Sequence, residues 1–352
     1  MTTKSVQQRW IVKEGGETII STPQQFRKGA KGKLEKVITL DDGSKRISRI
    51  SINDSNPNKE LESLHDSFEL SWLKSPTWPR IIKPKGTIRC CDLFSGCGGI
   101  TMGLWEACRN HELKLEVVMG CDLFDAAETS FKANFNPEIF LDEPIENYVN
   151  GELGAELTAE ELLLKEKLGE IHVVVGGPPC QGNSNLNNHT RRTDSRNELY
   201  MRMIRFIEII QPNIALIENV SGVVRAKQNV VQRSNDYLND MGYVSRHGVI
   251  KGVDIGIPQT RTRHFTVAVK GSSEFSFDDI SKPTFDSPRP ISWAIGDLFG
   301  NKSGEGIFDK PPNASAVNQA RMDYLFEHEI YDLPNEQRPP CQQKKHTYPA
   351  IY

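Results

Sequence analysis

The sequence lacks the features that mark secreted, membrane-spanning and zinc-binding proteins. It has no apolar run near the roughly 18 to 20 residues that cross a bilayer, and no stretch typical of a signal peptide. Its seven cysteines show no C-x-x-C spacing, which argues against a zinc site. An odd number of cysteines in a chain without a signal peptide favours free thiols. We therefore expect a cytoplasmic or nuclear protein, nucleoid-associated in a prokaryote, without a metal ion.

Two common phosphate-binding patterns are also missing. The sequence has no G-x-G-x-x-G spacing, and no lysine follows a glycine-rich turn as it does in a P-loop. These absences exclude a dehydrogenase that binds a dinucleotide. The glycine-rich segment that is present, DLFSGCGGITMGL (92–104), follows an apolar run and leads into a helical pattern. Its glycines at 96, 98 and 99 let the backbone approach a ligand, although a tight strand-to-helix turn would also use them.

Charge is unevenly distributed along the chain. The formal net charge is −3, but residues 1–86 hold sixteen Lys and Arg against ten Asp and Glu, and the remaining residues hold 27 against 36. The basic segment contains one predicted hairpin, with alternating apolar positions on both sides of Asp42 and Gly43. We interpret residues 1–86 as a small accessory segment. Its basic side chains predict either contact with a nucleic acid or an ordinary solvated surface.

Regular structure begins at Thr87. Helical patterns separate several of the apolar, strand-like runs, which lie at 88–94, 115–121, 138–141, 171–177, 213–219 and 264–269. In the clearest helix, Ser195 and Glu198 form a capping box at the start and Pro212 marks the end. The alternation predicts an α/β fold with a mixed, mainly parallel sheet and helices on both faces. We assign residues 87–270 to this domain, in which ligands should bind at the carboxyl ends of the strands.

Two acidic residues follow the predicted strands nearest to the glycine-rich turn. Asp122 ends the second strand, where a carboxylate can accept hydrogen bonds from a ribose diol. Asp142 ends the third strand, where a carboxylate can accept from the exocyclic amine of adenine. Together with the turn, they predict a site for an adenosine derivative that lacks a pyrophosphate.

A candidate nucleophile lies in VVVGGPPCQG (173–182), where two prolines precede Cys180 at the end of an apolar run. A thiolate at a strand end is often reactive, although an isolated intracellular cysteine is more often a small buried residue. Glu218 ends the next long apolar run, in ALIENV (215–220). If the two strands are neighbours, the thiol and the carboxyl group face one pocket. Burial would raise the pKa of Glu218 and let it act as an acid near neutral pH.

A further polar group precedes the last predicted strand. GIPQTRTRHF (256–265) holds Gln259, Arg261 and Arg263 at alternate positions, so strand geometry would point all three the same way. An arginine at this position can hold a base carbonyl or a carboxylate. An edge strand with solvated arginines is the simpler alternative.

These segments closely resemble those of the DNA (cytosine-5) methyltransferase family, over about residues 88–270. The matching segments occur in the family's order: DLFSGCGG, the two acidic strand ends, GGPPCQG, ENV and QTRTR. The pairing of PPCQ with a downstream ENV makes the resemblance specific. It implies a Rossmann-like methyltransferase fold, S-adenosylmethionine as methyl donor and S-adenosylhomocysteine as product. The implied acceptor is a flipped cytosine in double-stranded DNA.

The resemblance also implies a role for each candidate residue. Cys180 would attack C6 of the cytosine, and Glu218 would hold or protonate N3. Arg263, with Arg261 and Gln259 beside it, would steady the base and the cysteine loop. The residues implied for the donor site are Phe94, Gly96, Gly98, Asp122, Leu123, Asp142, Pro179 and Leu199. The residues implied for DNA contacts, in the polar loop that closes over the extruded base, are Gln181, Ser184, Arg191, Arg192 and Arg196.

One departure from the family lies at the end of the sequence. Family members continue past a segment like KKHTYPAIY (344–352) with a block that completes the donor pocket, whereas this sequence stops at Tyr352. The difference predicts a truncated chain, or a second polypeptide that supplies the block and without which the enzyme is inactive. Residues 271–352 would then form a partial target-recognition region, with one short helix near 315–330.

The sequence therefore predicts a DNA cytosine-5 methyltransferase of restriction-modification or genome defence. Two alternatives remain open. Related enzymes methylate RNA, so a transfer RNA is the main alternative substrate. A catalytically silent nucleic-acid-binding subunit is the other, and the presence of Cys180, Glu218 and Arg263 together argues against it, because a binding scaffold needs none of them.

Overall fold

The computed structural model describes most of the chain from residue 83 to residue 271 and shorter stretches on either side. The described residues are 8–14, 17–30, 33–39, 43–51, 67–75, 81, 83–179, 197–225, 229–271, 275–281, 288–296, 314–339 and 343. The chain forms two compact units, Met1–Gly296 and Asp297–Tyr352. The predicted division at residues 86 and 270 stays a prediction.

An antiparallel sheet of four strands lies near the N-terminus, in the order β1-β2-β3-β4. Its strands are β1 (Gln8–Glu14), β2 (Glu17–Lys28), β3 (Lys33–Thr39) and β4 (Lys45–Ser51). Strands β3 and β4 confirm the predicted hairpin, in which Gly43 has a positive φ of 77°, while Asp42 lies outside the described residues. The sequence did not predict β1 and β2. A short helix, α1 (Ser67–Leu73), packs its Trp72 on Phe26 of β2.

A mainly parallel sheet of seven strands forms the centre of the larger unit. Its strands are β5 (Gly86–Leu93), β6 (Leu113–Cys121), β7 (Ile139–Leu141), β8 (Val173–Gly176), β9 (Ile214–Val220), β10 (Tyr243–Lys251) and β11 (Thr262–Lys270). The strand order is β10-β11-β9-β8-β5-β6-β7. Only the pairings of β11 with β9 and β10 are antiparallel. All six predicted strands are confirmed, and β10 is an additional strand.

Helices cover both faces of this sheet, as predicted, and the arrangement is the Rossmann-like fold of S-adenosylmethionine-dependent methyltransferases. The helices are α2 (Gly99–Asn110), α3 (Asp125–Phe135), α4 (Ala159–Leu168), α5 (Asn197–Ile210) and α6 (Val230–Asp240). Helices α2 and α3 share one apolar cluster with the sheet, and α4, α5 and α6 share the other. Because the sheet is covered twice, its central strands are apolar at consecutive positions, and β8 is buried throughout.

Helix α5 lies where the sequence predicted it and ends at Ile210, two residues before Pro212. Its buried residues include Met203, Phe206 and Ile207, which pack on the central sheet. The predicted capping residue Ser195 lies outside the described residues. A buried ion pair holds α5 to α4: Nη2 of Arg205 lies 2.6 Å from Oε2 of Glu161, and both side chains are at most 1% exposed.

The N-terminal sheet is attached to the C-terminal part of α2. Lys36 of β3 is buried and pairs with Glu106 of α2 at 2.5 Å. Glu106 also accepts from Arg109, whose guanidinium carbon lies 5.3 Å from the centroid of the Trp72 ring. At the end of the helix, Arg46 of β4 pairs with Glu112 at 2.8 Å. The accessory segment is therefore joined to the central domain by a partly buried network of ion pairs.

Short helices follow the central sheet. They are α7 (Asp278–Ser281), α8 (Ile291–Ile295) and, in the second unit, α9 (Ala316–Glu327). Helix α9 confirms the predicted helix near 315–330, and Ser315 caps it by accepting from the amide of Asn318 at 3.3 Å. Within the described ranges, no helix is both long enough and apolar enough to cross a membrane.

Candidate active site

The turn between β5 and α2 has an unusual backbone. Phe94, Gly96 and Gly98 have positive φ values of 57°, 53° and 88°. At Gly98 a β-carbon would lie 2.1 Å from Cε2 of Phe135, so only glycine fits there. At Gly96 a β-carbon would meet nothing within 4 Å, which leaves the space beside this backbone open. We call residues 94–99 the donor loop.

Asp122 holds the donor loop in place. Its Oδ2 accepts from the backbone amide of Gly96 at 2.8 Å, and its Oδ1 accepts from the amide of Phe124 at 3.1 Å. The amide of Asp122 in turn donates to the carbonyl of Leu141 at 3.1 Å, which places the next strand end, with the exposed Asp142, alongside. The three predicted strand ends therefore meet at one edge of the sheet.

Two further polar residues of the donor loop region were not foreseen. Asp92 is 1% exposed, and its Oδ2 accepts from the hydroxyl of Thr101 at 2.5 Å. Its Oδ1 and the hydroxyl of Ser95 are buried without a hydrogen-bond partner among the described residues. Burial raises the pKa of Asp92 to about 7. The signal in the sequence was a carboxylate placed inside an otherwise apolar strand.

Glu218 and Arg263 form the second part of the site. Nε of Arg263, on β11, lies 2.7 Å from Oε1 of Glu218, on β9. Burial raises the pKa of Glu218, as predicted, and the positive charge of Arg261 opposes the increase. The Glu218 side chain keeps 26% of its surface exposed, so the carboxyl group can be reached from solvent.

The segment before Cys180 is fixed to the end of β9. Strands β8 and β9 are parallel neighbours, as the prediction required. A β-carbon at Gly177 would lie 3.4 Å from Oε2 of Glu218, so this carboxyl group occupies the space beside the end of β8. Nδ2 of the buried Asn219 donates to the carbonyl of Pro178 at 2.9 Å. Asn219 was not predicted as a positioning residue, although it is the middle residue of the ENV motif.

Three more of the residues predicted for the donor site belong to the described part of the chain. Pro179 follows β8 and is half-buried, Leu199 is half-buried on α5, and Leu123 is exposed beside Asp122. The predicted nucleophile and the predicted DNA-contacting residues lie outside the described residues: Cys180, Gln181, Ser184, Arg191, Arg192 and Arg196.

The last polar group of the sequence lies at the start of β11. Gln259 and Arg261 precede this strand, which begins at Thr262, so their predicted common orientation with Arg263 stays a prediction. The amide of Gly252 donates to the carbonyl of Arg261 at 2.8 Å, which extends the pairing of β10 with β11 by one residue. The side chains of Gln259 and Arg261 are exposed.

The chain matches the family model of C-5 cytosine-specific DNA methylases over residues 88–339. The chain belongs to this family. It is 40% identical over 320 residues to the type II methyltransferase M1.BsuMI of Bacillus subtilis, covering 91% of this chain and 74% of the relative. It is 29% identical over 223 residues to the type II methyltransferase M.DdeI of Desulfomicrobium norvegicum, covering 61% of this chain and 49% of that protein. The chain thus spans about half the length of M.DdeI.

Among solved structures, a DNA modification methyltransferase encoded within an E. coli prophage aligns with a TM-score of 0.46 and 28% identity. The alignment covers 59% of this chain and 54% of that chain.

C-5 cytosine-specific DNA methylases use S-adenosylmethionine as methyl donor. The donor loop fits such a group on three counts. The backbone beside Gly96 is open, and Asp122 stands at the next strand end. Oδ1 of Asp92 and the hydroxyl of Ser95 have no hydrogen-bond partner among the described residues, so a ligand with hydrogen-bonding groups could supply one. These residues would hold the donor, which supplies an electrophilic methyl group when bound.

Proposed function

We propose that this chain methylates C5 of a flipped cytosine in DNA through a covalent bond between Cys180 and C6. The observation that carries the proposal is the position of the Glu218 carboxyl group. It is ion-paired with Arg263, partly open to solvent, and next to Gly177, three residues before the cysteine. An acid and a nucleophile from neighbouring strand ends can therefore act on one base.

The chemistry of cytosine requires both groups. The thiolate of Cys180 adds to C6 while Glu218 donates a proton to N3, so that the electron pair of the former C5–C6 double bond becomes available at C5. C5 then accepts the methyl group. A base, which water can supply, removes the C5 proton, and the thiolate leaves C6 as the double bond re-forms, while N3 returns its proton to Glu218. Since C6 is stacked in duplex DNA, the base must be extruded, at a cost of a few kcal/mol.

Two residues position these groups. Arg263 fixes the orientation of the Glu218 carboxyl group, and Asn219 fixes the carbonyl of Pro178. The prolines at 178 and 179 restrict the backbone that leads to Cys180. The type II methyltransferases among the relatives support a role in restriction-modification, in the cytoplasm where bacterial DNA lies.

The proposal is tested by trapping the covalent intermediate. The full chain is incubated with labelled S-adenosylmethionine and a long duplex in which 5-fluorocytosine replaces cytosine. Fluorine at C5 cannot leave as a proton does, so the enzyme should remain attached to the DNA. The assay is run with the chain alone and with the polypeptide that co-purifies with it from the native host. We expect an adduct with the unaltered chain and with Cys341→Ser, and none with Cys180→Ser; no adduct even with the added polypeptide would contradict the proposal.

Two other outcomes would contradict the proposal. An adduct that persists in Cys180→Ser would assign the nucleophile elsewhere. An adduct with 5-fluorocytosine-containing transfer RNA and none with the duplex would make RNA the substrate. The predicted second polypeptide stays a prediction, and co-purification from the native host tests it.

A further inference from the structure

The N-terminal sheet has one face packed against α2, and its opposite face carries several exposed charged side chains around the buried Val37. Successive residues of a strand point to opposite faces. Lys36 and Arg46, which pair with Glu106 and Glu112, therefore lie on the packed face. We call the opposite face, formed by the alternate residues of β2, β3 and β4, the outer face.

The outer face carries four basic side chains from three adjacent strands. Arg27 is paired with Glu35 across β2 and β3, and Glu35 is paired with Arg49 across β3 and β4. Lys33 and Lys45 lie at alternate positions of the same strands, on the same side. The side chains of Arg27 and Arg49 are 56% and 50% exposed, and both lysines are exposed.

Glu35 fixes the two arginines instead of presenting negative charge to solvent. Its side chain is 11% exposed, and its oxygens lie 2.9 Å from Nε of Arg27 and 2.7 Å from Nε of Arg49. These bonds use only the Nε atoms, which leaves the terminal guanidinium nitrogens outside them. Among outer-face side chains that the structure describes on these strands, four are basic and Glu35 alone is acidic.

This distribution of charge fits a polyanion with regularly spaced charges. The positions from Lys33 to the end of β3 at Thr39 span about 20 Å, since an antiparallel strand rises about 3.4 Å per residue. Double-stranded DNA carries about one negative charge per 1.7 Å of its axis, so a duplex offers several phosphates along this length. We propose that the outer face binds the phosphate backbone of the DNA duplex beside the target site. The proposal rests on DNA being the substrate.

The contact should require DNA that extends well beyond the target cytosine. Helix α2 begins at Gly99, beside the donor loop, and its other end, at Asn110, lies beside the attached sheet. Twelve residues at about 1.5 Å each separate the two ends by about 18 Å. That length corresponds to about five base pairs of DNA at about 3.4 Å each. A short duplex centred on the target would therefore end before the outer face.

The test compares binding to a short and a long duplex. The target sequence is first located from the cytosines methylated in DNA of cells that express the chain. Lys33→Ser/Lys45→Ser is then compared with Lys165→Ser/Lys167→Ser, in which α4 loses two exposed lysines. Fluorescence anisotropy gives the dissociation constant on duplexes of about 8 and about 40 base pairs over a range of salt concentrations.

We expect the outer-face variant to bind the long duplex several-fold more weakly. The slope of log affinity against log salt concentration should become shallower by about 0.9 for each phosphate that the variant no longer neutralises. The short duplex should be bound as before, and the α4 variant should match the unaltered chain on both. Arg27→Gln/Glu35→Gln/Arg49→Gln should behave like the lysine variant, because it removes both arginines without leaving Glu35 unpaired.

Unchanged affinity and salt dependence on the long duplex, or an equal loss of affinity in the α4 variant, would overturn the proposal. If no cytosine is methylated, the salt dependence on a long duplex of any sequence decides the same question. The adduct assay on the short duplex is independent of the outer face. If the unaltered chain forms no adduct but the outer-face variant binds the long duplex more weakly, the catalytic proposal is contradicted and the proposal for the outer face is not.

Discussion

Arg263 and Glu218 join two strands of the central sheet through a bond of 2.7 Å from Nε to Oε1. The side chains are 23% and 26% exposed, so the pair is held firmly and remains open on one side. A carboxyl group that donates a proton to a bound base needs both properties. The pair is therefore the part of the described structure on which the proposed chemistry can be tested most directly.

Replacing Glu218 should slow catalysis more than it weakens binding. Glu218→Gln keeps the size of the side chain but removes its acidic proton, so we expect kcat to fall by about 10²- to 10⁴-fold. KM for DNA should change much less, because the amide can still contact the base. Steady-state methylation of DNA measures both constants. Glu166→Gln, on the exposed surface of α4, is the control, and an equal effect in both variants would contradict the role of Glu218.

The pH dependence of methylation should respond to Arg261. If protonated Glu218 is the active form, kcat/KM falls as the pH rises through the pKa of this group. The charge of Arg261 lowers that pKa, against the effect of burial. Arg261→Gln should therefore raise the pKa of Glu218 and move the falling limb of the profile to higher pH. A limb that stays in place or moves to lower pH would contradict this assignment.

Loss of the Asn219 bond should disturb the approach to Cys180. Asn219→Ala removes the bond to the carbonyl of Pro178 and leaves that buried acceptor without its donor, at a cost of about 1–3 kcal/mol in stability. We expect a lower rate of adduct formation with 5-fluorocytosine DNA and an unchanged affinity for S-adenosylmethionine. Asn134→Ala is the matched control, because its amide donates to the carbonyl of Ser130 on an exposed surface. Equal adduct rates in both variants would count against a positioning role.

The strands of the central domain were predictable because strands that are buried on both faces are apolar at consecutive positions. VVVG at 173–176 is buried at every position, and such runs bounded by glycine or proline indicate a strand covered on both sides. Strand β10, YVSRHGVIK, was missed because it lies at the edge of the sheet and alternates between buried and exposed positions with several polar residues. In the N-terminal sheet, only the hairpin with a clear turn signal was foreseen.

The candidate site was predictable where residue type and strand end coincide, as for Asp122 and Glu218. Contacts between strands could not be predicted. The hydrogen bond from Asn219 to Pro178, for example, depends on β8 and β9 being adjacent. The start of β11 at Thr262, two residues before its apolar run, was not predictable either, because its first residues are polar.

Asp92 should give the protein a pH-dependent stability. Its pKa rises from an ordinary 3.8 to about 7 on folding, so between these values the native state holds a proton that the unfolded state has lost. The free energy of unfolding should therefore fall, through this group, as the pH rises from about 4 to about 7. Urea unfolding of Asp92→Asn over this range should show a weaker fall. Asp240→Asn, an exposed control, should keep the original dependence.

Glu69 and Arg289 should contribute strongly to the stability of the first unit. Nη1 of Arg289 donates to Oε1 of Glu69 at 3.3 Å, Nη2 contacts Oε2, and the guanidinium carbon lies 4.0 Å from the centroid of the Trp293 ring. Since both charged side chains are at least 90% buried, Glu69→Gln should lower the free energy of unfolding by about 3–5 kcal/mol, because it breaks a buried ion pair.

A double-mutant cycle with Arg289→Gln checks this prediction by chemical unfolding. The loss in free energy of unfolding should be clearly smaller in the double variant than the sum of the losses in the two single variants. Both members of the ion pair are then absent together. On the exposed surface of α3, Glu128→Gln, which breaks a pair with Lys132, should change stability by at most about 0.5 kcal/mol. Additive losses at Glu69 and Arg289 would refute the coupling.

The antiparallel direction of β11 determines how Arg263 and Glu218 come together. A parallel strand brings its last residue to the catalytic edge, but β11 brings its first, and there Arg263 lies opposite Val220, with Phe265 opposite Glu218. Arg263 and Glu218 are thus diagonal neighbours on one face. A slip of a single residue would turn the arginine to the other side and leave the carboxyl group alone. The backbone hydrogen bonds between β9 and β11 therefore fix the alignment in which Arg263 pairs with Glu218, the proposed proton donor.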